Sequence, residues 1–281
     1  ARLGLLAALL VGGTFALAQE ARGAHFLSHD VWSAFLAWAS CLLLYLLLPL
    51  CLFVPAAILL ATTDVDRQIS WAWAYDAATG TFPARHSFWA EQLLHGYGRD
   101  LIWLVVLGSL AALGTSLFLP ALASWRRPLL FIIVVIGLTT ALIGGLKQVT
   151  NVHCPWELQG FGGGLPYVHV FATRPPAPEP GACFPAAHAG SGFALFALYF
   201  AFRDRKRRLA RLGLLAALLV GGTFALAQEA RGAHFLSHDV WSAFLAWASC
   251  LLLYLLLQPG RLTAGARSER LPELPGLRIA R

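Results

Sequence analysis

The chain has 281 residues, of which 58% are hydrophobic and only 12% are charged. Soluble globular domains carry roughly 25% charged residues. With a mean hydropathy of +0.66, this composition excludes a disordered chain and disfavours a soluble enzyme. The formal net charge is +7, but basic residues clustered beside long apolar runs indicate membrane topology rather than binding to nucleic acid.

The chain begins with a repeat, because residues 1–48 are identical to residues 210–257. Natural repeats show similarity rather than identity over such a length. We therefore interpret residues 1–48 as a redundant N-terminal appendage from a recent duplication or an engineered fusion. A functional second half-site is the alternative, since the copy contains a second version of one polar motif, including His25.

Seven hydrophobic runs predict an all-α, polytopic membrane bundle. They lie at residues 3–18, 31–61, 101–123, 128–146, 189–202, 212–227 and 239–257. The run 101–123 is about 34 Å long as a helix, which is enough to cross a bilayer core. The run 31–61 predicts either one helix of about 46 Å, kinked near Pro49 and Pro55, or a tight hairpin.

Basic residues predict the orientation of this bundle. They are concentrated at 126–127, in RDRKRR at 203–208 and in the tail 259–281, and the positive-inside rule places these segments in the cytoplasm. We therefore expect a six-helix core over 49–258 with both ends inside. The aromatic segment 62–100 is expected to lie along the outer interface.

Three polar clusters fall at helix ends on the predicted outer face. They are KQVTNVHCPWEL (147–158), CFPAAHAGSG (183–192) and QEARGAHFLSHD (228–239). Polar residues gathered at one membrane depth indicate a functional site. The remaining outer histidines are interpreted as solvated or interfacial rather than catalytic: His86, His95 and His169.

The clusters resemble the motifs of the type 2 phosphatidic acid phosphatase superfamily, a family of membrane lipid phosphatases, over residues 49–258. The family signature is K-x6-R-P, then P-S-G-H, then S-R-x5-H-x3-D. Lys147, His188 and His234 match the lysine and the two histidines. Other family positions are substituted here, namely by Cys154 for the first arginine, Ala186 and Ala187 for Ser-Gly, Gln228 for the second arginine and His238 for the aspartate.

This resemblance implies a role for each matched residue. His234 would be the nucleophile that forms a phosphohistidine, and His188 would be the general acid that protonates the leaving group and later activates water. Either His238 or Asp239 would orient His234, and the sequence leaves that choice open. The groups expected to hold the substrate phosphate are Lys147, Arg231 and the backbone at Gly190.

Two cysteines lie beside the first and second clusters. If this face is periplasmic, Cys154 and Cys183 are in an oxidising compartment, where disulfides form. A disulfide between them would close the proline-rich loop 172–182 and stabilise the fold by about 3–4 kcal/mol. We expect it to take over part of the ordering role of the missing arginine. A zinc site that includes His153 is the alternative, although the spacing fits no standard zinc motif.

Together these features predict an integral membrane lipid phosphatase that needs neither metal nor cofactor. It would hydrolyse a lipid phosphomonoester or a lipid pyrophosphate at the periplasmic face of a bacterial inner membrane, among membrane lipids and without a nucleic-acid partner. Two alternatives are a lipid-to-lipid phosphotransferase of the same family and a non-enzymatic lipid transporter or binding protein with a degenerate site. The sequence selects neither a particular lipid nor an oligomeric state.

Overall fold

The computed structural model describes residues 2–23, 26–175 and 179–257. Within these ranges every regular element is helical, which confirms the predicted all-α class. The α-helices are α1 (Arg2–Ala21), α2 (Leu27–Thr62), α3 (Val65–Trp73), α4 (Gly98–Phe118), α5 (Arg126–Val149), α6 (Ala187–Phe193), α7 (Phe196–Phe202), α8 (Arg207–Ala230) and α9 (Leu236–Leu257). A π-helix (Phe88–Tyr97) and two 3₁₀ turns (Pro120–Trp125 and Pro155–Glu157) complete the regular structure of these ranges.

Some predictions fall on other parts of the chain. The basic tail 259–281 lies outside the described residues, as do His25 in the N-terminal copy and residues 176–178 of the proline-rich loop. The interpretation of residues 1–48 as an appendage therefore remains a prediction.

Several helices are long and apolar enough to cross a bilayer, which confirms a polytopic membrane protein. The described residues contain four such stretches: Phe88–Phe118, Pro120–Val149, Arg207–Ala230 and Leu236–Leu257. A fifth span results if Pro49–Thr62 and Val65–Trp73, which meet at 84°, are counted together. Ala187–Phe202 is a shorter apolar helix. The number of six crossings remains a prediction.

The long run 31–61 forms one continuous helix rather than a hairpin. It lies within α2, which contains both Pro49 and Pro55. The chain divides into two compact units, Ala1–Pro55 and Ala56–Arg281. Helices α3 to α9 belong to the second unit, so all the predicted site residues lie in one compact body.

The segment 62–100 differs from the expectation that it lies along the interface. Its residues Phe88–Tyr97 form a π-helix that runs directly into α4, so the two make one continuous helix of 31 residues, which is long and apolar enough to cross a membrane. The Ser87 hydroxyl accepts a hydrogen bond from the Ala90 N–H at 3.2 Å and begins this helix. No proline interrupts the sequence between Phe88 and Phe118, so the helix has no reason to stop at the membrane boundary.

Helices α5 to α9 pack around one apolar core that includes Phe131, Val135, Phe193, Phe200 and Phe224. Glycines bring α6 and α8 into close contact in this core. A Cβ on Gly192 would lie 2.7 Å from the Gly221 Cα atom, so a larger residue there requires backbone movement, and a Cβ on Gly221 would lie 2.4 Å from the Phe193 ring. Small residues at such crossings let membrane helices approach each other. This close contact sets the position of α6, which begins with the second polar cluster.

A second, smaller cluster of buried residues supports the turn between α8 and α9. It contains Ala74, Phe82, Leu158, Phe161 and Phe235. Gly232 in the turn has φ of +73°, and a Cβ there would lie 2.4 Å from the Phe82 ring. Glycine is required for both reasons. The turn is therefore held firmly against the loops, and it forms the middle of the third polar cluster.

Candidate active site

One cavity of about 870 Å³ receives residues from all three polar clusters. Lys147 comes from the last turn of α5, His188 from the first turn of α6, and Arg231 and His234 from the turn between α8 and α9. No aspartate or glutamate is among the described residues that line it, whereas Arg99 adds a further positive charge. The cavity is therefore suited to an anion.

The two basic residues of the predicted site differ in how they are held. No carboxylate among the described residues pairs with Lys147. Arg231 is fixed by three contacts: its Nη2 lies 3.2 Å from Glu91 Oε1, its Nη1 donates to Gln228 Oε1 at 3.1 Å, and its Nε donates to the Arg85 carbonyl at 3.2 Å. Lys147 is thus available to an anion, whereas Arg231 is a preorganised part of the wall.

His234 is buried, and its Nδ1 atom lies 3.3 Å from Nδ1 of His238. One of these nitrogens donates and the other accepts, which fixes the His234 ring and leaves its Nε2 atom facing away from His238. Burial holds the pKa of His234 well below its usual value; His238 and Lys147 lower it further, and the backbone of Cys183 opposes them. The imidazole is therefore neutral near pH 7 and carries a lone pair.

His188 is held by its Nε2 atom, which lies 2.9 Å from the Leu94 carbonyl oxygen. Since a carbonyl can only accept, Nε2 carries a proton, and Nδ1 is the nitrogen left for proton transfer. The ring also stacks on Phe224, with ring centroids 4.1 Å apart and an interplanar angle of 21°. His188 is thereby fixed in one orientation at the cavity wall.

The three clusters that meet at this cavity also match a known family. The family model of the PAP2 superfamily matches residues 128–261. Residues 128–261 are therefore similar to the PAP2 superfamily. The match confirms the resemblance seen in the motifs, and it indicates a phosphatase-type membrane protein that acts on a phosphoric ester. Comparisons with curated proteins and with solved structures gave no match.

At the position of the family aspartate, the sequence left two candidates for the residue that orients His234, namely His238 and Asp239. His238, which occupies it, contacts the His234 ring, but it lines a separate cavity of about 40 Å³ rather than the large one. Asp239 is also buried, and it interacts with Glu229 of α8 instead of His234. Of the two candidates, only His238 is in a position to orient His234.

Gly190 does not line the PAP2 cavity. A Cβ at this position would lie 2.5 Å from Ile143 Cδ1 and 3.6 Å from Ser242 Cβ, because Gly190 faces α5 and α9. Its side of α6 is filled by these helices, and its N–H group donates to the Ala186 carbonyl at 2.9 Å. A role of the Gly190 backbone in phosphate binding remains a prediction.

Cys154 and Cys183 form a disulfide that joins the first PAP2 motif to the second. Their Cα atoms are 5.2 Å apart, and both residues line the large cavity. The neighbouring backbone is also paired, since Cys183 N–H donates to the Val152 carbonyl at 2.8 Å. Because the two sulfurs are bonded to each other, they offer no thiolate ligands, and the alternative zinc site does not fit the residues present.

The sequence interpretation missed one wall of the PAP2 cavity. His95, which we expected in an outer loop, lines the cavity, and its ring centroid lies 4.5 Å from that of His188. Two further residues of the same stretch belong to this wall: Glu91 contacts Arg231, and Arg99 lines the cavity. The available signal was a polar residue at every fourth position before the apolar run of α4, which is typical of one helix face.

Proposed function

We propose that this protein is an integral membrane phosphatase that cleaves a lipid phosphomonoester or a lipid pyrophosphate through a phosphohistidine on His234. The observation that carries the proposal is the single cavity, which combines a neutral buried histidine, a second fixed histidine and the cations Lys147 and Arg231. Phosphoryl transfer needs a nucleophile, a proton donor and positive charge around the phosphate oxygens.

In the first step His234 donates its Nδ1–H group to His238 Nδ1, and the lone pair on its Nε2 atom attacks phosphorus. The bond from phosphorus to the leaving oxygen breaks. Protonated His188 gives its Nδ1 proton to that oxygen and becomes neutral. In the second step His188 takes a proton from water, the resulting hydroxide attacks phosphorus, and the P–N bond breaks to release phosphate and free His234. The dianionic phosphate favours protonated His188, while Lys147 and Arg231 balance the charge on its oxygens.

The apolar part of the cavity supports a lipid substrate. Beyond the polar residues, the wall is formed by α4 and α5 through Ile102, Trp103, Val106, Ile136 and Ala141. Trp103 is 56% exposed in a helix that is apolar enough to cross the membrane. A cavity with a charged end and an apolar, membrane-facing side fits a phosphate group attached to a hydrocarbon chain.

The distribution of basic residues supports an extracytoplasmic active site, which is the periplasmic side if the membrane is the bacterial inner membrane that we propose. Lys147 is in the last turn of α5, whereas Arg126 begins the same helix, which is about 36 Å long. The basic stretch 203–208 likewise lies at the start of α8, and the cavity lies at the other end of that helix. By the positive-inside rule the arginine-rich ends are cytoplasmic, and the cavity is then extracytoplasmic.

The test is phosphate release by the purified protein in lipid nanodiscs. Phosphatidic acid and a polyprenyl pyrophosphate are compared with glycerol 3-phosphate, which has the head group of phosphatidic acid without its chains. We expect kcat/KM to be more than tenfold higher for the lipids, since burial of only two methylene groups contributes about 1.6 kcal/mol. No release from any substrate would contradict the proposal and favour a binding protein. Transfer of labelled phosphate to a second lipid instead of water would identify a phosphotransferase.

The lowered pKa of His234 predicts the acid side of the pH profile. Protonation removes the nucleophilic lone pair, and the pKa lies well below 6.5. Because bound phosphate keeps His188 protonated, kcat at saturating substrate is expected to hold between pH 7.5 and about 6.5 and to fall only at lower pH. Because Lys147 contributes to this shift, Lys147→Met should move the descending limb to higher pH. A limb that stays in place in Lys147→Met would assign it to the substrate phosphate instead.

A further inference from the structure

The π-helix Phe88–Tyr97 contacts the PAP2 motifs at three separate points. Glu91 pairs with Arg231 at 3.2 Å, the Leu94 carbonyl accepts from His188 at 2.9 Å, and His95 contacts Gln228. Glu91, Leu94 and His95 themselves lie outside the three motifs of the family signature. The π-helix is thus a fourth wall of the site, and π-helical turns within helices are frequent at functional sites.

The contacts around Gln228 fix the protonation of His95. Arginine has only donors, so the atom of the Gln228 amide that faces Arg231 is the oxygen Oε1. The amide nitrogen of Gln228 therefore faces His95, and it can only donate. His95 Nδ1 must accept this hydrogen bond, which places the ring proton on Nε2. His95 is consequently held as a neutral imidazole with one N–H group left for the cavity that it lines.

We propose that His95 is a further catalytic residue, which donates its Nε2–H group to an oxygen of the substrate phosphate. The inference rests on the proposed phosphatase function. Gln228 occupies the position of a family arginine, and it cannot supply a guanidinium to the phosphate. Instead Gln228 accepts a hydrogen bond from Arg231 and donates one to His95 Nδ1. This arrangement keeps the ring proton of His95 on Nε2, so a neutral N–H donor lines the cavity wall.

A neutral donor suits this place better than a charged one. The ring centroids of His95 and His188 are 4.5 Å apart, and His188 must become an imidazolium to protonate the leaving group. A second cationic imidazole at this distance would oppose that protonation. A neutral N–H group still stabilises the charge that develops on the phosphate oxygens, as donors do in oxyanion holes.

The first experiment compares His95→Phe with His95→Gln in the full chain. Phenylalanine keeps a ring against His188 but has no donor, whereas glutamine retains an N–H donor near the position of Nε2. We expect His95→Phe to lower kcat/KM by about 10- to 100-fold and to raise the inhibition constant of inorganic phosphate about tenfold. His95→Gln should recover part of both. His169→Phe is the matched control, since His169 contacts Tyr167 outside the large cavity.

The second experiment keeps the proposal testable if His95→Phe does not fold. Gln228→Glu preserves the contact with Arg231, but its carboxylate can only accept. At a pH above the pKa of His95 in this variant, where the ring is neutral, Nδ1 must donate and its proton is the one lost from Nε2. We expect weaker inhibition by inorganic phosphate, and we expect most of this effect to vanish when Gln228→Glu is combined with His95→Leu, which has no N–H group to lose. An equal effect in both backgrounds would mean that the added charge alone is responsible, and it would overturn the proposal.

The outcomes also separate this inference from the proposed function. If His234→Ala is inactive while His95→Phe keeps the wild-type inhibition constant for phosphate, His95 does not touch the substrate and only the inference fails. If His95→Gln is as impaired as His95→Phe, the role of the residue is structural, and the inference fails in the same way. If His234→Ala releases phosphate at the wild-type rate, the phosphohistidine mechanism itself fails.

Discussion

Replacement of His234 by alanine is expected to abolish phosphate release, with a loss of about 10⁴-fold or more in kcat. The nucleophile is the one group that forms a bond to phosphorus, and removing such a residue costs nearly the whole chemical contribution of its catalytic unit. Because His234 is buried beside His238, the alanine variant should be checked for an unchanged melting temperature. Phosphate release is measured with the best lipid substrate of the panel.

The repeated sequence provides a matched control for this variant. His25 has the same neighbours in sequence as His234, because residues 1–48 are identical to 210–257. If the copy is an appendage, His25→Ala retains full activity, and only His234→Ala is inactive. Residual activity in His234→Ala that disappears in the double variant would instead show that the copy can replace the site.

The covalent intermediate gives an independent readout of the same prediction. Wild-type protein mixed with labelled substrate and quenched rapidly should carry one phosphoryl group on the peptide that contains His234. Phosphorus bonded to nitrogen is lost in acid and retained in base, which distinguishes it from a serine ester. In His188→Ala the second step lacks its base, so this species should persist for longer. Labelling of a peptide other than the one containing His234 would contradict the assignment of the nucleophile.

Much of the site was predictable from the sequence because its residues lie at the ends of apolar helices. Lys147 ends α5, His188 begins α6, and His234 lies in the short turn between α8 and α9. In a bundle of alternating membrane helices these three ends fall on one side, so polar residues beside the apolar runs predict a shared pocket. The cavity that all three line follows from this connectivity.

The choice between His238 and Asp239 needed the structure. The two are adjacent in α9, so their side chains point in directions about 100° apart around the helix. Sequence patterns do not reveal which direction faces His234, because both residues are buried and both can act as acceptors. His95 was missed for a related reason: the register of the π-helix and its continuity with α4 decide that it faces the cavity.

The repeat shows how strongly burial depends on tertiary context. Phe224 in α8 is 4% exposed, whereas Phe15, its copy in α1, is 68% exposed. The local sequence around the two residues is identical, so neither helix propensity nor hydrophobic pattern can account for the difference. Phe224 is buried because it belongs to the core that contains Phe193 of α6, and His188 stacks on its ring. Prediction from local sequence assigns both copies the same environment and is wrong for one of them.

Replacement of His188 by alanine is the second large effect, and its size should depend on the leaving group. Loss of a general acid typically costs 10²- to 10⁴-fold, and we expect about this decrease in kcat/KM for an alkyl phosphate such as phosphatidic acid. A nitrophenyl phosphate releases nitrophenolate, whose oxygen is stable without a proton. The first step with this substrate should therefore be slowed far less in His188→Ala. Burst kinetics separate this step from hydrolysis of the phosphoenzyme.

Lys147→Met is the comparison that makes this test specific to proton transfer. Lys147 lines the same cavity without a carboxylate partner among the described residues, and it would bind the phosphate oxygens, whose charge is alike in the two substrates. Its loss should therefore slow the alkyl and nitrophenyl substrates by similar factors. If His188→Ala also slows the first step of both substrates equally, His188 binds phosphate rather than protonating the leaving oxygen. The hydrogen bond from Nε2 to the Leu94 carbonyl would then hold a binding residue, and the general acid would have to be sought elsewhere in the cavity wall.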